Sequence, residues 1–309
     1  MRAILAEQTQ SVTHQSRQLS DYLALTKPAI VALLLLTTLC GMILGASGFP
    51  PISILILTLL GGALTAGGAG ALNQYNDRDI DRKMVRTRGR PVADERIPPR
   101  EALIMGFALS IAGVAILAVS VNILSAVLAV TGLLYYVVFY TIILKPSTPS
   151  NIVIGGAAGA LPPLVGWAAV TGSLSMPALF LFALIFFWTP PHFWALALYR
   201  CRDYERAGVP MLPVVAGAEV TRRQIWLYSL ILVPLAITPV LIGLAGIVYG
   251  VVSAVLGAVF LYLAWKVRRI TEGREADQAA RRLFVFSILY LFLLFAVLLV
   301  EHAAARWIA

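Results

Sequence analysis

The sequence predicts an all-α, polytopic membrane protein with nine transmembrane helices. Of its 309 residues, 60% are hydrophobic and only 13% are charged, and the mean hydropathy is +0.86. Soluble domains carry about 25% charged residues, so these proportions are typical of a chain that lies in a bilayer. The two cysteines, Cys40 and Cys201, provide neither a disulfide framework nor a CxxC metal pair.

Nine apolar segments are long enough to cross a membrane, because a hydrocarbon core of about 30 Å requires roughly 20 helical residues. Several of them are rich in glycine, as in GGALTAGGAGAL. Such glycines allow helices to approach one another closely, or leave room for a bulky ligand. The predicted spans are 28–48, 52–75, 101–120, 122–143, 150–172, 176–198, 224–244, 246–266 and 283–303.

The distribution of positive charge predicts the orientation. Nine spans put the two termini on opposite sides, and of the 24 lysines and arginines only Arg306 then falls on the side of the C-terminus. The positive-inside rule makes the other side cytoplasmic. This topology accounts for the net charge of +9. No aromatic residues interleave with the basic runs, so we expect no nucleic-acid partner.

The pattern predicts one transmembrane domain over residues 28–303, a cytoplasmic N-terminal tail over 1–27 and a short periplasmic tail over 304–309. Two long and charged cytoplasmic loops, 76–100 and 199–223, contrast with very short external connections. Long ordered loops often carry function, so we expect the functional residues in or beside these two loops.

Three polar residues at the end of the second span are spaced four apart: Asn73, Asp77 and Asp81. If the helix continues through them, they share one face over roughly 12 Å, while Asp79 points elsewhere. Oxygen ligands on one face suit Mg²⁺, especially when phosphate oxygens complete its shell. The alternative is a solvated helix end whose carboxylates pair with neighbouring basic residues. Asn73 lies inside the apolar span, where polar groups are costly, and this favours a functional site.

Basic residues follow the acidic face closely, among them Lys83, Arg86 and Arg90. Carboxylates beside arginines predict a site for a metal together with a multiply charged anion, since guanidinium groups match phosphate oxygens. A diphosphate bridged by Mg²⁺ fits this pattern. A diphosphate whose other end belongs in the bilayer is an isoprenyl diphosphate, so we expect metal-assisted departure of diphosphate from an allylic carbon.

The second loop supplies another set of polar residues, Tyr199, Asp203 and Glu205, at the cytoplasmic end of the sixth span. Asp203 is a candidate ligand of a second metal opposite Asp77 and Asp81. The alternative is an ordinary loop aspartate paired with Arg200 or Arg202.

The stretch from Asn73 through Asp77 and Asp81 to RTRGRPV resembles the first aspartate-rich motif of the UbiA superfamily of intramembrane prenyltransferases. Within it, four stretches are similar to the protoheme IX farnesyltransferase branch. They are LTKPAI (25–30), YTIILKPSTPSN (140–151), NIVIGGAAGALPPLVGWAAVTG (151–172) and WTPPHFWALALYRCRDYERAGVPMLPVV (188–215). The resemblance runs from about residue 20 to the last helix.

This resemblance implies nine helices around a central cavity that opens to the cytoplasmic side of a bacterial-type inner membrane. It implies Mg²⁺ as cofactor, farnesyl diphosphate and heme B as substrates, and heme O and diphosphate as products. A downstream heme A synthase or oxidase assembly proteins are implied partners. The implied catalytic and metal-binding residues are Asn73, Asp77, Asp81 and Asp203. The implied diphosphate-binding residues are Lys83, Arg86, Arg90, Lys145 and Tyr199.

The sequence departs from the superfamily pattern at one position. Members that act on aromatic acids often have a second aspartate four residues after the one that matches Asp203, whereas this chain has Ala207. The ligands of a second metal are therefore open, with Glu205 as one candidate.

His192 is the one histidine inside a predicted span. One interpretation, in line with the resemblance, is a heme-binding residue that ligates the iron or contacts a propionate. The other is a histidine satisfied by backbone carbonyls that Pro190 and Pro191 leave free.

Three other functions stay open at this point. A UbiA-type prenyltransferase could act on a quinone precursor or a chlorophyllide. A cation-coupled transporter could use Asp77, Asp81 and Asp203 as ion sites, although transporters usually place such groups near the bilayer midplane. An assembly scaffold would leave the acidic face unexplained.

Overall fold

The computed structural model describes residues 18–46 and 48–308, with side chains as far as residue 304, and this part of the chain is helical without strands. Most of the predicted N-terminal tail, and the side chain of Arg306, lie outside the described part. In chain order the helices are α1 (Leu19–Leu25), α2 (Pro28–Gly45), α3 (Ile52–Lys83), α4 (Pro99–Ser120), α5 (Ile123–Leu134), α6 (Asn151–Ala160), α7 (Pro162–Thr171), α8 (Met176–Tyr199), α9 (Cys201–Arg206), α10 (Leu212–Val215), α11 (Gly217–Leu241), α12 (Ile247–Arg269) and α13 (Gly273–Ile308).

Nine segments within these residues are long and apolar enough to span a membrane, which confirms the predicted fold class. Seven of the spans are single helices. Another is α5, which continues without a break as a π-helix (Tyr135–Leu144) and a last turn (Lys145–Ser147). The remaining span consists of α6 and α7, which join at Leu161 just before Pro162.

Three helices extend further towards the charged loops than the apolar pattern predicts. Helix α3 ends at Lys83 and not at residue 75, α11 begins at Gly217 and not at 224, and α13 begins at Gly273 and not at 283. Hydropathy detects only the part of a helix that lies in hydrocarbon, whereas backbone hydrogen bonding continues into the polar region. The loop after α8 is also partly helical, since it contains α9 and α10.

Glycines bring neighbouring helices into close contact. Helix α3 packs along α4, and α2 packs along α7. A Cβ added at Gly68 would lie 2.6 Å from the carbonyl oxygen of Gly106, and one added at Gly166 would collide with the carbonyl oxygen of Thr38. Close packing of this kind replaces the hydrophobic effect as the force that joins helices in lipid, as the glycine-rich spans predicted.

The backbone N–H groups at the start of α12 are hydrogen-bonded by a side chain from another helix. The carboxylate of Glu301, on α13, accepts hydrogen bonds from the backbone N–H groups of Gly246, Val248 and Tyr249 at 2.8, 3.0 and 3.2 Å. These N–H groups belong to the first turn of α12 and have no partner within that helix. Glu301 therefore ties the start of α12 to the end of α13.

We expect Gly166→Ala to lower the melting temperature of the detergent-solubilised protein strongly, because the new methyl group overlaps the backbone of α2. Gly159→Ala is the matched control, since a Cβ at Gly159 meets nothing within 4 Å. Equal melting temperatures for the two variants would contradict the close approach of α2 and α7.

Candidate active site

The C-terminal end of α3, which extends beyond the apolar part of the helix, carries a buried polar face. Asn73, Asp77 and Asp81 are 2%, 3% and 2% exposed, respectively. The side chain of Asp79, between them, is 70% exposed and lies 3.9 Å from Arg78. The helix thus continues through all three residues and turns them inwards, so the alternative of a solvated helix end does not describe this face.

The carboxylate of Asp77 accepts hydrogen bonds from two other side chains. Its Oδ2 accepts hydrogen bonds from Lys145 Nζ at 2.7 Å and from Asn73 Nδ2 at 2.8 Å. The same Asn73 amide nitrogen lies 2.9 Å from the Thr141 hydroxyl, on the π-helix. The Thr141 hydroxyl donates to the Tyr136 carbonyl five residues earlier, a spacing that belongs to a π-helix. The wide helical turn therefore brings Thr141 and Lys145 to the polar face of α3.

Asp81 is held by the loop that follows α3. Arg90 donates to both carboxylate oxygens of Asp81, at 3.0 and 2.7 Å, and the Thr87 hydroxyl lies 3.2 Å from the Asp81 carbonyl. A buried carboxylate without a partner would be strongly destabilising, so Asp77 and Asp81 each need a cation beside them, and in this structure Lys145 and Arg90 provide it.

Lys27 joins this cluster, although the charge pattern did not single it out. Its Nζ donates to Asn73 Oδ1 and lies 3.2 Å from the Tyr136 hydroxyl. The backbone of Lys27 has φ 55°, a left-handed conformation that costs a non-glycine residue about 1 kcal/mol. Burial, together with the nearby Arg90 charge, lowers the pKa of Lys27 to about 7 against the opposing pull of Asp77 and Asp81. The signal in the sequence was the lysine of LTKPAI, immediately before the first span.

The second loop presents Asp203 on the short helix α9. Asp203 is 7% exposed, and its Oδ2 is buried without a hydrogen bond from the described residues. Arg200 NH1 lies 3.7 Å from this oxygen, so the pairing that was the alternative for Asp203 is present as an ion pair. Glu205 is exposed on the same helix, and Tyr199 packs its ring against Phe284 of α13 at 6.0 Å.

The remaining predicted anion-binding residues, Lys83 and Arg86, are exposed, and neither pairs with Asp77 or Asp81 within the described part of the chain. Arg86 is nevertheless close to the second loop. Burial raises the pKa of the Tyr204 hydroxyl, and the positive charge of Arg86 opposes that effect. The positive charge of Arg86 therefore acts on the second loop.

His192 lies deeper, on α8, and is 7% exposed. Its Nδ1 is 2.6 Å from the Ser287 hydroxyl of α13, and its ring stacks on Trp188 and Phe284 with centroids at 4.2 and 4.6 Å. The interpretation that backbone carbonyls near Pro190 and Pro191 satisfy His192 is therefore wrong for Nδ1, because a side chain from another helix does so.

Comparison with known proteins assigns the chain to a family. Residues 34–291 match the UbiA prenyltransferase family. The chain belongs to this family. A protoheme IX farnesyltransferase from Azorhizobium caulinodans is 53% identical to it over 281 residues, which cover 91% of each chain.

Solved structures of the UbiA family share the fold. A structure of digeranylgeranylglyceryl phosphate synthase matches 93% of this chain and 99% of its own, with a TM-score of 0.76 and 19% identity. A UbiA homolog from Archaeoglobus fulgidus bound to GPP and Mg²⁺ matches 90% of this chain and 99% of its own, with a TM-score of 0.66 and 19% identity. At these identities the likeness establishes the architecture. Membership of a prenyltransferase family also sets aside the transporter and the scaffold.

The residues present fit a divalent cation of the kind a UbiA enzyme would use. The available donors are oxygens, which Mg²⁺ prefers, and the buried Asp203 Oδ2 accepts no hydrogen bond from the described residues and has only the Arg200 guanidinium at 3.7 Å as a partner. Among the described residues no three acidic, histidine or cysteine side chains are grouped closely enough to hold a metal unaided. Such a donor set fits Mg²⁺ whose shell is completed by phosphate oxygens.

We expect Lys27→Met to weaken binding of magnesium diphosphate about tenfold, which corresponds to roughly 1.4 kcal/mol, because a charged donor beside Asn73 and Asp77 is lost. Isothermal titration calorimetry with inorganic diphosphate and Mg²⁺ measures this. Lys266→Met is the matched control, since Lys266 lies over the Tyr262 ring on α12. If both variants bind alike, Lys27 has no part in anion binding.

Proposed function

We propose that this UbiA-family protein transfers the farnesyl group of farnesyl diphosphate to a vinyl group of heme B, with addition of water, and so forms heme O and diphosphate. The observation that carries the chemistry is the buried face of Asn73, Asp77 and Asp81, whose two carboxylates are held by Lys145 and Arg90. The choice of heme B and farnesyl is supported by the relative that is 53% identical over 91% of the chain.

In this proposal Asn73, Asp77, Asp81 and Asp203 hold Mg²⁺, which supplies positive charge to the departing diphosphate. When the cation and the diphosphate bind, Lys145 and Arg90 exchange their carboxylate partners for phosphate oxygens. Lys83 and Arg86 are exposed and free to turn towards the same anion, and Lys27 adds a further donor. Tyr199, the last residue of α8, is assigned to the same anion on the strength of the family resemblance.

The reaction balances with water as the third reactant. The bond between farnesyl C1 and the diphosphate oxygen breaks, and the terminal carbon of a heme vinyl group forms a new bond to C1. The positive charge then lies on the vinyl carbon next to the porphyrin ring, where water adds as hydroxyl and releases a proton. Tyr136 and Tyr140, whose rings stack at 5.8 Å beside the polar face, offer π-electron density near the first cation.

The location follows from the same proposal. The chain is a multi-pass membrane protein, and we place it in the bacterial inner membrane with residues 28–303 as the catalytic domain, the N-terminus cytoplasmic and the C-terminus periplasmic. A downstream heme A synthase or oxidase assembly proteins are the proposed partners.

Alkaline phosphatase fused after residue 309 is expected to be active, because the enzyme is active only in the periplasm. An inactive fusion would contradict the proposed orientation and place the C-terminus in the cytoplasm.

Incubation of the purified protein with heme B, farnesyl diphosphate and Mg²⁺ tests the proposed function directly. We expect mass spectrometry to detect heme heavier by one farnesyl and one hydroxyl group. Unmodified heme together with released diphosphate would overturn heme B as acceptor and favour a quinone precursor or a chlorophyllide. Full activity in the presence of a chelator would overturn the role of Mg²⁺.

Asp77→Asn and Asp81→Asn are expected to insert normally and to lose at least about 100-fold in farnesyl transfer, since each removes a buried charge from the metal and diphosphate site. Asp79→Asn, whose side chain is exposed, is the matched control and should keep nearly full activity. Asp203→Asn is expected to be impaired as well. An equal loss at Asp79 would show that burial on one helical face does not define the site.

A further inference from the structure

The tautomer of His192 is fixed by a chain of hydrogen bonds from α13. The Ser287 hydroxyl has one hydrogen, and its oxygen lies 2.6 Å from the carbonyl oxygen of Phe284, which can only accept. Ser287 therefore donates to Phe284 and accepts from His192, at a distance of 2.6 Å. The proton of the neutral imidazole is thus on Nδ1, and the lone pair is on Nε2.

The ring of His192 is also fixed in orientation. It stacks on Trp188 and on Phe284 with interplanar angles of 18° and 25°. The indole N–H of Trp188 donates to the carbonyl oxygen of Ser287 at 2.7 Å, so Ser287 positions both the imidazole and one of the rings that cover it. A histidine packed in this way can rotate very little.

The free edge of the imidazole is Nε2. This atom receives no hydrogen bond from any residue that the structure describes, and it is not one of the fully enclosed polar atoms that lack a partner. Phe284, which stacks on the imidazole at 4.6 Å, also contacts the ring of Tyr199 at 6.0 Å. One aromatic ring therefore separates the imidazole from Tyr199, which the proposed function assigns to the diphosphate site.

A rigid neutral imidazole, with Nδ1–H bonded to a second residue and Nε2 free, is the arrangement that proteins use for metal ligands. We propose that His192 Nε2 is an axial ligand of the iron of the tetrapyrrole acceptor, and that Ser287 is the positioning residue that fixes its tautomer and angle. This inference rests on the proposed function, because it takes an iron porphyrin as the substrate. It selects iron ligation over contact with a propionate, since Nε2 has no proton to donate to a carboxylate.

Titration of the tag-free protein, in detergent and without farnesyl diphosphate, tests the ligation. Heme B and metal-free protoporphyrin IX are added separately to the wild type and to His192→Ala, and absorption spectra and dissociation constants are recorded. We expect the variant to lose the nitrogen-ligated heme spectrum and at least about 10-fold in heme affinity, with unchanged affinity for the metal-free porphyrin. Added imidazole should restore the spectrum.

Ser287→Ala tests the positioning role. Removal of a group that orients a metal ligand typically costs about 10- to 100-fold in affinity, so we expect weakened heme binding at the low end of that range and an altered spectrum. Ser229→Ala is the matched control, because Ser229 is also fully buried and bonded to a carbonyl of its own helix, at 2.6 Å. Equal effects of the two serine variants would overturn the role of Ser287.

Three results would overturn the ligation: no heme binding by the wild type, an unchanged heme spectrum in His192→Ala, or an equal loss of affinity for heme and for metal-free porphyrin. A wild type that shows the histidine-dependent spectrum yet transfers no farnesyl to heme would uphold the ligation and overturn the proposed function. A wild type that transfers farnesyl to heme but lacks that spectrum would overturn the ligation and uphold the proposed function.

Discussion

The cost of burying carboxylates among apolar helices governs the organisation of this protein. Asp77 and Asp81 are nearly inaccessible, and each is tolerated because a cation from another part of the chain reaches it. Lys145 comes from the end of the fourth span and Arg90 from the loop after α3, so the charges of α3 draw separate segments together. Breaking one such pair typically costs about 3–5 kcal/mol. The same ion pairs prepare the site for its ligands, because a metal ion can take the place of Lys145 or Arg90 beside a carboxylate, and phosphate oxygens can take the place of the carboxylates beside these two cations.

The site therefore combines polar groups that are bonded to one another with a polar group that is available to a ligand. Lys27 is bonded to Asn73, and its left-handed backbone shows that the surrounding structure holds it in that position. Asp203 has no hydrogen bond at Oδ2 and only a distant arginine. The carboxylates of α3 are thus hydrogen-bonded to cations, whereas the carboxylate of Asp203 has one oxygen with an ion pair at 3.7 Å and no hydrogen bond.

Much of the fold could be predicted from the sequence, because apolar length and charge bias are properties of single segments. The inward face of α3 was also predictable, since residues four apart share a face of a helix. The role of Lys27 and the bond between His192 and Ser287 were not, because each depends on which helices become neighbours. His192 and Ser287 lie on helices α8 and α13, and no periodicity relates them. Helix ends were predicted poorly where polar residues continue a helix beyond the bilayer.

The π-helical stretch between Tyr135 and Leu144 makes the fourth span unusually intolerant of a change in length. One residue of an α-helix corresponds to a rotation of about 100° and a rise of 1.5 Å. Loss of a single residue there would let the segment tighten into an ordinary α-helix, and Thr141 would leave the wide turn in which it meets Asn73 and the Tyr136 carbonyl. Amino-acid substitutions in this stretch change one side chain at a time, but an insertion or deletion changes the phase of everything after it. Across related chains, the number of residues between Tyr136 and Lys145 should therefore vary less than their identities.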